Sequence, residues 1–177
     1  MTGTMNAPNI ELPVGVWTLD EAQTTVTVSV KKMGLFTVPA TLTVSSSRIE
    51  VDENHQITEV EIVVDAASYT SGNKQRNKHV SSADFLDSEA HPTIVYHATT
   101  VSLAEGGHLA EGAITVKGHT SPMLIKITNL NLDDSNRTAT FAASGDLDRN
   151  SIGVDKMPSF IIGANLELTI SATATKT

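Results

Sequence analysis

Through most of this chain every second residue is apolar. Val26, Val28 and Val30 alternate with Thr25, Thr27 and Ser29, and Val38, Ala40, Leu42 and Val44 alternate with Thr41 and Thr43. Successive side chains on an extended strand point to opposite faces, so a period of two predicts strands with one buried and one solvated side. The pattern recurs over Ile57 to Val64, Ile94 to Leu103, Leu109 to Val116, Met123 to Leu132, Ala139 to Ala143 and Leu166 to Ala172, all rich in Val, Ile and Thr. About eight strands are expected, with a ninth near Trp17. Within Met123 to Leu132 the apolar phase slips between Ile127 and Leu130, which predicts a bulge near Asn129. Pro39 has no ladder donor and belongs at an edge, a bulge or a barrel opening. Reversals at Glu53-Asn54, Glu105-Gly106-Gly107 and Asp133 to Asn136 are short, so neighbouring strands run antiparallel.

Two stretches break the alternation. Ser71 to Ala90 reads as a helical excursion over one end, with Ser82 and Asp84 as candidate caps. Asn150 to Gly163 contains Gly153, Pro158 and Gly163 and reads as a second cap or lid. About eight strands with one apolar face close on themselves into a barrel, whose interior is either filled by side chains or open to one small apolar ligand. The fold class is therefore all-β, a single antiparallel eight-stranded barrel with a short helical excursion capping one end. Residues 1–13 read as a flexible tail and 14–177 as the barrel domain, since Met1 to Leu12 show no alternation.

Composition narrows the function. Aromatic residues make up 4% of the chain, and Val, Ala, Ile and Leu dominate the strand interiors, so a void between small inward side chains is one outcome and tight curvature that removes it is the other. The net charge of -8 opposes sequence-independent binding to nucleic acid or to anionic surfaces, and Lys74, Arg76 and Lys78 form the one short basic cluster. Cysteine is absent, which removes disulfides and thiolate metal sites and fits a reducing compartment. The first residues lack the basic start and apolar stretch of a secretory signal, and the expected location is the cytoplasm, with no integral membrane segment.

Four motifs then appear in order. Leu19-Asp20-Glu21-Ala22-Gln23-Thr24 precedes Lys32-Met33-Gly34. Arg76-Asn77-Lys78-His79-Val80-Ser81-Ser82-Ala83-Asp84-Phe85-Leu86 precedes His91-Pro92. Gly112-Ala113-Ile114-Thr115-Val116-Lys117-Gly118-His119-Thr120-Ser121-Pro122 follows, then Asp148 and Arg149 with Ile152-Gly153. From about Trp17 to Ala172 the chain resembles the YceI-like proteins, lipocalin-like barrels associated with polyisoprenoid binding. Gln23 and Lys32 stand where that family has histidines, Ile152 replaces a phenylalanine, and Val38-Pro39-Ala40-Thr41-Leu42 departs from the family's glycine-containing strand.

The resemblance implies a tubular apolar interior holding a long isoprenoid chain of polyprenyl or quinone type, and a binding or transport role without catalysis. Val28, Val30, Leu42, Phe85, Ile94, Tyr96, Ile114 and Phe141 are the candidate lining residues. Each buried methylene contributes roughly 0.8 kcal/mol, so such a tube holds a chain without directional contacts. Arg76, His79, Asp84, Asp148 and Arg149 are the candidate structural motif residues, with an ion pair among the charged ones expected to tie the excursion to the barrel. Two alternatives stay open. One is an enzyme acting on a lipid or quinone head group with His79 or His119 in acid-base chemistry, or Ser121 beside His119 as a nucleophile. The other is a filled-barrel, stress-linked interaction module. His79, His91, His97 and His119 lack metal-motif spacing, and no metal and no cofactor beyond a bound lipid are expected. Edge strands near Pro39 and the lid favour a homodimer with a shared opening.

Overall fold

The computed structural model describes residues 11–158 and 161–177. Nine strands are present among the described residues: β1 (Gly15–Leu19), β2 (Thr25–Lys32), β3 (Phe36–Val51), β4 (Ile57–Thr70), β5 (Thr93–Ala104), β6 (Gly107–Val116), β7 (His119–Leu132), β8 (Thr138–Asp148) and β9 (Ile162–Lys176), with one α-helix, α1 (Lys74–Ser81). Strands β2 to β9 pair antiparallel in sequence order, and β9 closes onto β2. The result is a closed barrel of eight strand positions.

The ninth strand adds no ninth position. β1 pairs with β3 and β9 at one end of the barrel, and β2 pairs with the same two strands at the other. They are one barrel strand broken by a 3-10 turn at Glu21–Gln23. The Asp20 carboxylate accepts from the amides of Ala22 and Gln23 and stabilises the turn. Backbone groups stranded by the break find side chains instead: the Ser47 hydroxyl accepts from Leu19 N–H and the Thr24 hydroxyl from Thr173 N–H.

The irregularities expected from the sequence have physical counterparts. The β7–β8 register shifts between Thr128 and Asn131, and Asn129 takes a φ of 54°, which is the bulge. Pro39 pairs with Ser29 on β2, while β3 meets β4 only from Thr41 onward, so the missing N–H faces an open edge. Strand β3 is longer than the alternation indicated. Its register shifts between Val44 and Ser46, and the polar run Ser45 to Ser47 hides the continuation to Val51.

The floor of the barrel lies at the end carrying the β3–β4, β5–β6 and β7–β8 hairpins. Trp17, 1% exposed, lies there with Leu12, and the Trp17 indole N–H donates to the Pro13 carbonyl at 3.0 Å. Small residues at this end, including the paired Ala139 and Ala174, leave room for the indole. The expected tail is thus corrected at its last residues: Leu12 is buried, and its carbonyl is hydrogen-bonded to His55 Nδ1 at 2.9 Å. The rest of the expected tail, residues 1–10, lies outside the described residues.

At the opposite end the helical excursion is α1 followed by turns to Pro92. Its cap differs from the expectation. Asn73, not Ser82 or Asp84, caps the N-terminus by accepting from Arg76 N–H, while Ser82 ends the helix. Among the described residues no helix is long and apolar enough to cross a membrane.

Candidate functional site

Along β9 the outward residues Asn165, Glu167, Thr169 and Ser171 are exposed, yet the inward Leu166, Leu168 and Ile170 are only half-buried. Val28 and Val30 on β2 behave alike. These side chains face inward onto space that no other side chain fills. That space is a cavity of about 540 Å³ inside the barrel, walled mainly by Val, Leu, Ile, Ala, Met and Phe. Its size falls within the range of pockets that enclose small-molecule ligands.

All eight candidate lining residues, Val28, Val30, Leu42, Phe85, Ile94, Tyr96, Ile114 and Phe141, stand on the cavity wall. The wall is polar chiefly at the α1 end, where Lys32, Tyr69, Asn73, Gln75, Arg76 and His79 ring it, and Trp17 and Leu12 form the other end. The site is a blind apolar tube with a polar mouth. Gln23 lies outside it, exposed, its amide donating to Asp20, whereas Lys32 stands on the mouth.

Three polar groups lie inside the tube: Tyr96, expected on its lining, Arg149, expected only as a structural motif residue, and His108, which no sequence motif marked. The Tyr96 hydroxyl lies within hydrogen-bonding distance of the carbonyls of Met123 (3.1 Å) and Ala110 (3.3 Å). Its ring lies over Gly112, where a Cβ would come within 2.7 Å of the ring and hydroxyl. Burial raises the Tyr96 pKa to about 12, so the phenol stays neutral. His108 also lines the cavity, and its Nδ1 is a buried side-chain nitrogen without a hydrogen-bond partner among the described residues. Desolvation lowers its pKa and favours the uncharged ring.

Arg149 is the third group. It is 1% exposed and projects into the mouth end of the barrel. Its Nε donates to Gly163 O at 3.0 Å, Nη1 to Val154 O at 2.8 Å, and Nη2 to the carbonyls of Ile162 (2.8 Å) and Met157. The planar guanidinium fork thereby gathers the segment that follows its own 3-10 turn, Arg149–Ile152. Among the described residues the expected ion pair does not form: neither Arg149 nor Arg76 lies within ion-pair distance of a carboxylate. Asp148 instead caps the 3-10 turn by accepting from Asn150 N–H at 2.9 Å. The expected lid, Asn150 to Gly163, is in its described part a strap drawn over the barrel end by Arg149; residues 159–160 lie outside the described residues.

His79, His97 and His119 each meet a different neighbour, and His91 lies beside Gly118. His79 stands at the mouth with its ring edge-on to Phe85 at 4.8 Å between centroids and its Nε2 4.0 Å from the Asp84 carboxylate. His97 faces outward toward Glu59 at 3.7 Å. His119 packs against Gly153, where a Cβ would approach its ring to 2.6 Å. The Ser121 hydroxyl donates to Pro122 O rather than to His119. Among the described residues no group of three or more His, Asp or Glu is placed to hold a metal ion.

The solved structures similar to this barrel share its shape far more than its sequence. BcnA of Burkholderia cenocepacia superposes with a TM-score of 0.77 at 19% identity, over 89% of this chain and 99% of that one. A polyisoprenoid binding domain from Saccharophagus degradans, implicated in plant cell wall breakdown, gives 0.64 at 11% identity, over 91% and 98%. In sequence, a UPF0312 protein of Ectopseudomonas mendocina is 34% identical over 73 residues, 41% of this chain and 38% of its own. Another, from Vibrio parahaemolyticus, is 28% identical over 123 residues, 65% of each. The matched stretch spans 35% to 54% of the length of the first three such relatives. A match to the YceI-like domain covers residues 17–174, from within β1 to near the end of β9, and the chain belongs to the YceI-like family.

Proposed function

We propose that this protein is a non-catalytic carrier that sequesters one long apolar isoprenoid, of polyprenyl or quinone type, inside the barrel. The observation that carries the reading is the tube itself, about 540 Å³, apolar along its wall, closed by Trp17 and Leu12 and polar at the α1 end. An apolar chain entering it leaves water at roughly 0.8 kcal/mol per methylene. A polar head group would remain at the ring of Lys32, Asn73, Gln75 and Arg76. The polyisoprenoid binding domain of similar shape supports the same ligand class.

Val28, Val30, Leu42, Phe85, Ile94, Tyr96, Ile114 and Phe141 are the proposed ligand contacts. The absence of catalysis belongs to the same proposal, supported by His79 and His119 each being engaged with a different neighbour. A cytoplasmic setting also belongs to it, supported by the absence of cysteine. Mass spectrometry of an organic extract of freshly purified protein, beside a mock purification, tests the carrier reading. A stoichiometric isoprenoid is the expected result. An empty extract, with added polyprenols failing to raise the melting temperature, would refute it.

A further inference from the structure

The hairpin joining β2 to β3 reads Lys31-Lys32-Met33-Gly34-Leu35-Phe36. At its tip Met33, Leu35 and Phe36 are 61%, 80% and 62% exposed. Single exposed apolar side chains are ordinary on a soluble protein, whereas three within four residues form a patch that needs a reason. The turn geometry sharpens the point. Met33 (φ 54°) and Gly34 (φ 70°) are both left-handed, the type I′ arrangement that Asn-Gly or Asp-Gly suits and that a bulky first residue does not. Neither fold stability nor solubility favours methionine there.

On its β3 side the tip also outruns the barrel, while on its β2 side Lys32 still pairs with Ile162 and the Met33 N–H donates to the Ile161 carbonyl at 2.7 Å. Residues Phe36 to Ala40 pair with β2 but have no β4 partner, since that pairing begins at Thr41. It stands beside the mouth of the tube, on whose wall lie Val30, Lys32 and Val38 from this hairpin and Gln75 and Arg76 from α1. Lys31, Lys32, Lys74, Arg76 and Lys78 therefore cluster at this end, although the chain carries a net charge of -8. Among the described residues none of these five lies within ion-pair distance of a carboxylate. The same end also carries Asp84, Asp87 and Glu89 after α1, Asp148 at the end of β8 and Asp155 beyond it, so attraction to an anionic surface is confined to the face of the hairpin and α1, where charge acts over about one Debye length.

We propose that this hairpin tip docks the cavity mouth onto an anionic lipid bilayer. Met33, Leu35 and Phe36 enter the boundary between head groups and acyl chains, and the five basic residues lie over the head groups. The purpose rests on the carrier reading, because such a contact lets an apolar chain pass between bilayer and tube without crossing water. The docking itself is measured without any bound isoprenoid.

The test is flotation of the full chain with phosphatidylcholine vesicles, with and without phosphatidylglycerol, together with sedimentation of the protein alone. The wild type floats with the phosphatidylglycerol vesicles, and less so as salt is raised. Replacing both Leu35→Ser and Phe36→Ser, which are exposed and leave the barrel folded, weakens partitioning roughly a hundredfold. Met33→Asn raises the melting temperature, because asparagine suits the left-handed turn, and still weakens partitioning. Flotation absent at every composition, or unchanged in the double variant, overturns the proposal. So does a wild-type dimer that the double variant converts to monomer without any vesicle dependence, which would assign the tip to a second copy of the chain. Protein that floats but yields an empty extract and shows no polyprenol-induced rise in melting temperature keeps the docking and refutes the carrier. A loaded protein that never floats does the reverse.

Discussion

Replacing Arg149 with methionine tests whether a buried cation, rather than apolar packing, closes the mouth end of this barrel. Methionine keeps much of the aliphatic volume and removes every donor. The carbonyls of Val154, Met157, Ile162 and Gly163 then lose their shared partner. An unsatisfied buried acceptor costs about 1–3 kcal/mol, and water reaching some of the four through the mouth lowers the sum, so a total near 3–5 kcal/mol is expected. For a domain of this size that corresponds to a fall in melting temperature of roughly 6–20 °C. Thermal unfolding followed by circular dichroism, with urea titration to check that the m-value is unchanged, measures it. Arg149→Lys restores the charge but not the fork, and recovers less than half of the loss. A methionine variant within about 1 kcal/mol of wild type, or a lysine variant as stable as wild type, would refute the reasoning.

Ala143 is buried on the wall of the tube, and Ala143→Phe places a ring in empty space. Stability stays within about 1 kcal/mol while the polyprenol-induced rise in melting temperature disappears; a filled core would instead lose about 1–3 kcal/mol to overpacking. Tyr96, with its pKa raised to about 12 from an unfolded value near 10, binds its proton more tightly when folded. Its contribution is fully present below pH 10 and is lost as pH rises toward 12, by about 1–2 kcal/mol after allowance for partial solvent access. Urea midpoints at rising pH show that slope, and Tyr96→Phe reduces it, Tyr69 retaining a smaller share because burial raises its pKa too. Gly112→Ala puts a methyl group 2.5 Å from the His97 carbonyl oxygen and against the Tyr96 ring, and costs about 1–3 kcal/mol by chemical denaturation.

Strand identity, antiparallel pairing, the Asn129 bulge and the opening at Pro39 were all legible from the order of residues, because each is a local consequence of period-two burial or of a missing donor. So was the inward face: Val28, Leu42, Ile114 and Phe141 line the tube because alternation decides which side of a strand faces in. Whether that inward face met itself or enclosed a void was not legible, since closure depends on how eight strands tilt and curve together. Trp17 and Leu12 became a floor only when β1 completed the first barrel strand between β3 and β9, so a stretch without alternation concealed a packed residue. Arg149 illustrates the same division. Its presence in a motif marked it as a structural residue, but its partners are carbonyls, which every residue carries and no sequence distinguishes. Only the path of the strap from Asn150 to Met157, together with the start of β9, brings those carbonyls around one guanidinium. The hydrophobic pattern selects a barrel because burial on one face is a property of each strand alone; the tube, its floor and its mouth arise from long-range packing among strands distant in sequence.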